Sequence, residues 1–531
     1  MSTLSMHKCS LLFAASFLFV LTINTPPAAA QECCEVNADP NTVTNPQAAE
    51  QLGTSVAVDG GTTVAGAPGF DRLIGEENFP DAGRAIVFTF NVGNQTWEVQ
   101  DTLFAEFVEE QAQFGNSVAI CGDVAVIGAH RADNGPFDWA GAAYIFERVG
   151  VNWIQTAKLT PSDPGHPHQF GQSVAISGDV VVIGALQAGV NNHGAAYVWV
   201  KPGGGWSDAD GEDQDATLTA SDGMTSDLFG RSVSIDGDVI VVGASQQPLF
   251  DGVVYVFDKP INGWADATED AKLVALDGEA GDRFGWSVSI DGNLIIIGAP
   301  FEDADEFLND EGAAYVFRFD GNLWIQEAKF FGCNEAPHDQ FGTSVAISGN
   351  VAVIGAIQPV GPMPGNGTAD AFRYLGTGWA QVGKPNASDG ESNDWFGQSV
   401  SMSGDFVVIG APLVDAENPP PIQLGAFYVF DSFDTAEACD CPWDLDGNGT
   451  VGATDLLSLL VNWGDCADCN DCPADFDGNC TVGATDLLAL LVNWGPCVDE
   501  AIPLKNAQDC MDRFYPDDIA ALIACIEAFG G

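Results

Sequence analysis

The stretch SVSIDGDVIVVGA, residues 232–244, sets the pattern for most of the chain. Val233 and Ile235 alternate with polar neighbours, Asp236-Gly237 interrupts, and four β-branched residues then run unbroken into Gly243-Ala244. Period-two alternation predicts a strand with one covered face, and Asp-Gly is the turn chemistry of a tight hairpin. The unbroken run predicts a partner strand covered on both faces. An amphipathic helix is excluded, because neither a 3.6-residue period nor a segment of helical length occurs here.

The pattern returns along residues 52–430. Phe-Gly pairs begin at Phe114, Phe170, Phe229, Phe284, Phe341 and Phe396, with Leu52-Gly53 as a seventh, degenerate copy; successive pairs are 55 to 62 residues apart. Gly-Ala pairs follow at Gly66, Gly128, Gly184, Gly243, Gly298, Gly355 and Gly410. A third mark reads GAAYIF at Gly141, GAAYVW at Gly194, GVVYVF at Gly252, GAAYVF at Gly312 and GAFYVF at Gly425. A fourth is the series Trp97, Trp153, Trp206, Trp264, Trp324 and Trp379. Four short strands per unit, none able to bury its faces alone, predict a repeat architecture. Seven such units predict an all-β, seven-bladed β-propeller over residues 31–435.

These four ordered marks resemble the FG-GAP repeats of bacterial exported proteins, which are related to the propeller of integrin α subunits. In the integrin pattern the turn between the first two strands is a D-x-D-x-D-G calcium loop. Here that turn has shrunk to SGD, DGD or SGN, so those calcium sites are not expected in the blades. The last repeat lacks its Trp strand. Residues 35–44 are expected to supply it, closing the ring as N-terminal strands do in that family.

The loops before Phe-Gly carry acids at equal offsets: Asp222 and Asp227, Asp277 and Asp282, Asp389 and Asp394. Solvated Asp-Gly turns are the expected reading, with weak cation or sugar binding as the alternative. His166 and His168 share the loop GHPHQFG, with His338 similarly placed three repeats later; these too are expected to be solvated rather than metal-bound. No nucleophile elbow, HExxH motif or sialidase box occurs. A glycosidase needs only two positioned carboxylates, which so acidic a chain can supply anywhere.

The C-terminal region holds sharper chemistry. DLDGNGTVGATDLLSLLVNWG, residues 444–464, returns 31 residues later as DFDGNCTVGATDLLALLVNWG. From Asp444 as position 1, Asp446, Asn448, Thr450 and Asp455 fall at 3, 5, 7 and 12, the ligand spacing of a calcium loop. The second copy offers Asp475, Asp477, Asn479, Thr481 and Asp486, with Cys480 where the first has Gly449 for the sharp turn. Two Ca2+ sites are therefore expected, the second the less well built. Each loop leads into a short apolar helix, and no helix enters it.

This doubled loop-helix unit, residues 436–497, resembles a type I dockerin, the plug that docks onto a cohesin domain. The resemblance implies partner contacts at loop positions 10 and 11, here Ala453 and Thr454, then Ala484 and Thr485. Identical pairs imply binding in either of two orientations. At positions 18 and 22, often basic in dockerins, stand Val461 and Asp465, then Val492 and Pro496. The cysteines repeat at the same offset, so Cys441–Cys466 and Cys472–Cys497 are candidate clasps, with connectivity open. Residues 498–531 read as a short helical extension.

Composition narrows the setting. The formal net charge is −58, from 75 acidic and 17 basic residues, which leaves no basic face for nucleic acid. Lys8, the apolar run LLFAASFLFVL and small residues at Ala28 and Ala30 read as a secretory signal peptide over residues 1–30. The run is too short to span a bilayer. Of fourteen cysteines, Cys9 leaves with that peptide, and in an exported chain most of the rest should form disulfides. The whole predicts a secreted or cell-surface binding or adhesion protein whose propeller displays loops and whose calcium-stabilised plug docks onto a cohesin-type partner. A glycan or cell-surface ligand is expected on the propeller. The rival expectation is a polysaccharide-active hydrolase or lyase, since dockerins are often joined to such enzymes.

Overall fold

The computed structural model describes residues 37–38, 49–93, 96–165, 167–189, 192–211, 213–246, 252–303, 310–332, 338–357, 366–376, 378–387, 389–404, 406–414 and 424–431, with short pieces at 450–451, 456, 459, 464–465, 481–482 and 495–496. The chain divides into two compact units. The larger comprises Met1–Thr22, Val36–Ala371 and Pro385–Asp434; the smaller comprises Ile23–Glu35, Phe372–Lys384 and Thr435–Gly531.

Each predicted repeat folds as a meandering antiparallel sheet, giving the seven blades of a propeller. Blade 4 is typical: Phe229–Asp236, Val239–Ala244, Val253–Asp258 and Ala271–Leu273 pair in chain order. The second strand is the one the sequence marked as covered on both faces. It is buried at every residue in Thr62–Ala67, Val180–Ala185 and Leu294–Ala299. First strands of successive blades lie beside one another, and Ser55–Asp59 of blade 1 also meets Ser399–Ser403 of blade 7. The ring is therefore closed, with the first strands innermost.

Three sequence marks build the seam between blades. The Ser two residues after each Phe-Gly glycine donates its hydroxyl to the Phe-Gly carbonyl of the next blade. Ser173 reaches Gly230 O at 2.9 Å, Ser232 reaches Gly285 O at 2.9 Å, and Ser399 closes the circle on Gly53 O at 2.9 Å. The Gly of each Gly-Ala pair lies flat against that same carbonyl. A Cβ on Gly243 would stand 2.1 Å from Gly285 O, closer than atoms can approach. The glycine of Phe-Gly itself has φ between 85 and 93°, a region open mainly to glycine.

The aromatic marks build the core within each blade. Phe229 is 1% exposed and sits 5.4 Å from Tyr255 and 6.2 Å from Phe257, the two aromatics of its own third strand. Phe170 with Tyr197 and Trp199, and Phe396 with Tyr428 and Phe430, repeat the arrangement. Such pairs add about 0.5–1.5 kcal/mol each beyond their buried area. Leu52, in the degenerate copy, is 1% exposed and bridges to Gly425, so it takes the Phe position without an aromatic ring.

One expectation needs correction, and another is described only in part. Trp206 and Trp264 do not lie in fourth strands: Trp206 opens a 3-10 turn, Trp206–Ala209, ahead of Ala216–Thr219, and Trp264 precedes Ala271–Leu273. Their connections are longer, and the indole plugs the blade from the turn instead; Trp206 is fully buried. Among the described residues blade 7 has three strands, and Asn37–Ala38, the described part of the expected N-terminal strand, lies beside the third of them, Ala426–Asp431. The backbone of Asn37–Ala38 pairs in parallel with Asn386–Ala387, at the end of blade 6. Thr219 pairs with Thr268 in the same parallel sense between blades 3 and 4, so the N-terminal segment occupies the place where an outer strand begins.

In the smaller unit, Thr450–Val451 pairs antiparallel with Gly495–Pro496, and Gly464–Asp465 with Thr481–Val482. Leu456 and Leu459 are helical, and Leu459 is fully buried. The remaining parts of the predicted helices at 436–531, and the segment 1–30, lie outside the described residues. Among the described residues no helix is long and apolar enough to cross a membrane.

Candidate functional site

In every blade the first strand starts, and the second-to-third connection emerges, at the same end of the sheet. The acidic loops and the variable loops therefore share one face of the ring, and each acidic loop is anchored by the blade it enters. Asp222 accepts the Tyr255 hydroxyl at 3.0 Å, Asp163 accepts Tyr197 at 2.8 Å and Asp389 accepts Tyr428 at 2.8 Å. Burial first, then these carboxylates, push all three phenols above their ordinary range. Lysines tie down two of the acidic loops. Lys272 bridges Asp222 at 2.7 Å and Glu269 at 3.0 Å, and Lys329 bridges Asp277 at 2.7 Å and Glu302 at 2.5 Å. Burial opposes ionisation of Asp222, but hydrogen bonds from Lys272 and Tyr255 and the Lys272 charge outweigh it and hold the carboxyl below its ordinary range.

The second acid of each loop departs from the solvated expectation. Asp227, Asp282 and Asp394 are 1%, 5% and 3% exposed. Each accepts the backbone N–H three residues earlier, from Met224, Glu279 and Glu391, so the side chain turns inward to close its own loop. Burial raises the Asp227 pKa, partly offset by the Met224 N–H. His168 stands at the same offset from its Phe and is likewise buried, with Nε2 3.4 Å from the Tyr197 hydroxyl. It is a core residue of the loop, not a solvated one; His166 lies outside the described residues. The residue between buried group and Phe is left-handed in all seven blades, with φ from 55 to 59° at Gln51, Gln113, Gln169, Leu228, Arg283, Gln340 and Trp395. Sequence reasoning missed this position, because nothing in its residue types announces a positive φ.

On the opposite face, the shrunken turns use their carboxylates between blades. Asp59 accepts Gly122 N–H at 2.6 Å and Asp236 accepts Gly292 N–H at 2.7 Å. Cys121, in one of these turns, is in a disulfide.

Among the described residues no group of three or more His, Cys, Asp or Glu side chains gathers as a metal site. Of the calcium-loop ligands, Thr450 and Thr481 are described, as strand backbone. Asp444, Asp446, Asn448, Asp455, Asp475, Asp477, Asn479 and Asp486 lie outside the described residues, as do Ala453, Thr454, Ala484 and Thr485.

The FG-GAP repeat matches six segments, 97–146, 153–199, 213–257, 267–317, 324–370 and 379–430, which make up more than half of the chain. The chain belongs to the FG-GAP repeat family. Each matched segment starts at or just before the fourth strand of one blade and ends in the third strand of the next. An FG-GAP unit of sequence is thus staggered by one strand from a blade, and every unit spans a seam. A comparison with curated proteins finds no match to this chain.

Proposed function

We propose that this FG-GAP protein is an exported, non-enzymatic binding protein. The propeller presents ligand-contacting loops on one face, and the C-terminal module holds the protein to a cohesin-type partner in a calcium-dependent way. The observation that carries the propeller half is the fate of the acids on the loop face. Asp163, Asp222 and Asp389 are committed to buried tyrosines, Asp277 and Glu302 to Lys329, and Asp227, Asp282 and Asp394 to their own loops. Carboxylates engaged in this way stiffen loops for recognition.

The C-terminal half is supported by symmetry. A shift of 31 residues turns the pairing of Thr450–Val451 with Gly495–Pro496 into that of Thr481–Val482 with Gly464–Asp465. The two copies thus exchange equivalent strands, which supports reading them as the two halves of one module. Ala453, Thr454, Ala484 and Thr485 would make the partner contacts. The disulfide at Cys121 favours an oxidising, extracellular setting. The test is retention of the full chain on an immobilised cohesin-type domain. Retention in calcium, lost in chelator and in the Asp444→Ala/Asp475→Ala double variant, is expected; retention indifferent to calcium overturns the docking half.

A further inference from the structure

Basic residues are scarce in this chain, and in the propeller eight of those described sit on a carboxylate: Arg84, Arg148, Lys158, Lys201, Lys259, Lys272, Arg318 and Lys329. Arg231 and Arg283 do not. They share one indole, with Arg231 Cζ 3.6 Å and Arg283 Cζ 5.3 Å from the Trp286 ring centre, and Arg283 also lies 4.2 Å over Phe301. Neither guanidinium has an ion pair or hydrogen bond among the described residues, and both residues are partly exposed. Burial first, then the Arg283 charge, lower the Arg231 pKa to about 10.

Their place in the fold explains why they meet. Arg231 and Trp286 occupy the same position, directly after Phe-Gly on the innermost strands, in blades 4 and 5. Neighbours at this position touch elsewhere as well, since Asn116 donates to Gln172 O. Arg283 is the left-handed residue directly before Phe284. The pair therefore stands where the innermost strands enter the loop face. Two guanidiniums that share one indole, neither on a carboxylate among the described residues, repel each other and leave forked N–H donors unfilled, which an oxyanion would satisfy. Stacking on Trp286 offsets only part of that cost.

We propose that Arg231 and Arg283 bind the single carboxylate of an acidic sugar at the end of a glycan. This deepens the binding reading of the propeller and rests on it. The net charge of −58 repels a polyanion such as an acidic peptide or a long polyuronate, so the ligand carries one anionic group in an otherwise neutral polar frame. In the flanking blades the repeat positions of Arg283, Trp286 and Phe301 are held by Gln340, Thr343 and Gln246, residue types that supply both donors and acceptors for sugar hydroxyls.

The test titrates the full chain with D-glucuronate, reading tryptophan fluorescence and calorimetric heat, with D-glucose and N-acetylglutamate as comparisons. Saturable binding of glucuronate is expected, weakened by added salt, with glucose and N-acetylglutamate each at least roughly tenfold weaker. Arg231→Gln and Arg283→Gln are safe substitutions, because this chain already uses Gln at those positions, in Gln172 and Gln398 and in Gln51, Gln113, Gln169 and Gln340. Each should cost roughly tenfold or more in affinity. Both should melt at or above the parent temperature, since a like-charge contact is relieved; lower melting without loss of affinity would mark a purely structural pair. Equal binding of glucose, or of N-acetylglutamate, overturns the acidic-sugar assignment. If glucuronate fails but the full chain still binds immobilised neutral glycans or cell-surface material, this site is wrong and the binding reading stands. If both fail, both fall.

Discussion

Gly243→Ala tests whether the Gly-Ala mark is a demand of the seam between blades. The new Cβ would stand 2.1 Å from Gly285 O and 3.0 Å from its carbonyl carbon, both backbone atoms of the next blade. It would also stand 2.4 Å from Ser232 Oγ, the donor that bonds that carbonyl at 2.9 Å. The blades must separate by about 1 Å to reach ordinary contact, which overpacks the seam at about 1–3 kcal/mol. Losing the Ser232 bond adds about 1 kcal/mol. The expected total is about 2–4 kcal/mol, read as a lowered urea midpoint for the full chain. Gly237→Ala is the control. It has φ of 59° with nothing within 4 Å of its Cβ position, so only the left-handed penalty of about 1 kcal/mol applies. If Gly243→Ala is no more destabilising than Gly237→Ala, the close-approach account of the motif is wrong.

Three further outcomes are expected. His130 is buried, and burial first, then Arg131, hold its pKa at about 4, so the neutral ring is the folded form. Its contribution is complete above pH ~6.5 and is lost as pH falls toward about 4, by about 3 kcal/mol; His130→Gln should remove that component from the pH profile of melting. Lys329→Met should cost about 3–5 kcal/mol by leaving Glu302 buried and unpaired, and Lys329→Met/Glu302→Gln should recover most of it; a double variant as unstable as the single one argues against the pairing account. Calcium titration of the full chain should reveal two sites, with Asp444→Ala and Asp455→Ala each weakening the first loop; a heatless titration and a melt unmoved by calcium would sink that assignment.

Much of the ring was legible because its rules are local. An apolar run of 239–242 must be covered on both faces, an Asp-Gly pair must turn, and seven copies of a unit unable to bury itself must stack. The sequence therefore determined the strand character of the blades, their number and the doubly covered second strands. It also gave the ligand spacing on which the proposed C-terminal calcium loops rest, since those positions are counted along one short segment. Tertiary structure decided whatever depends on a neighbouring blade. Gly243 is glycine because of Gly285, 42 positions away, and Asp227, which looked like any acidic turn residue, is buried because its loop folds over its own blade. The Arg231–Arg283 pair was invisible for the same reason. Arg231 and Trp286 hold equal positions in consecutive repeats, 55 residues apart along the chain, and only the packing of one blade on the next brings the Arg231 charge onto the indole that Arg283 also touches.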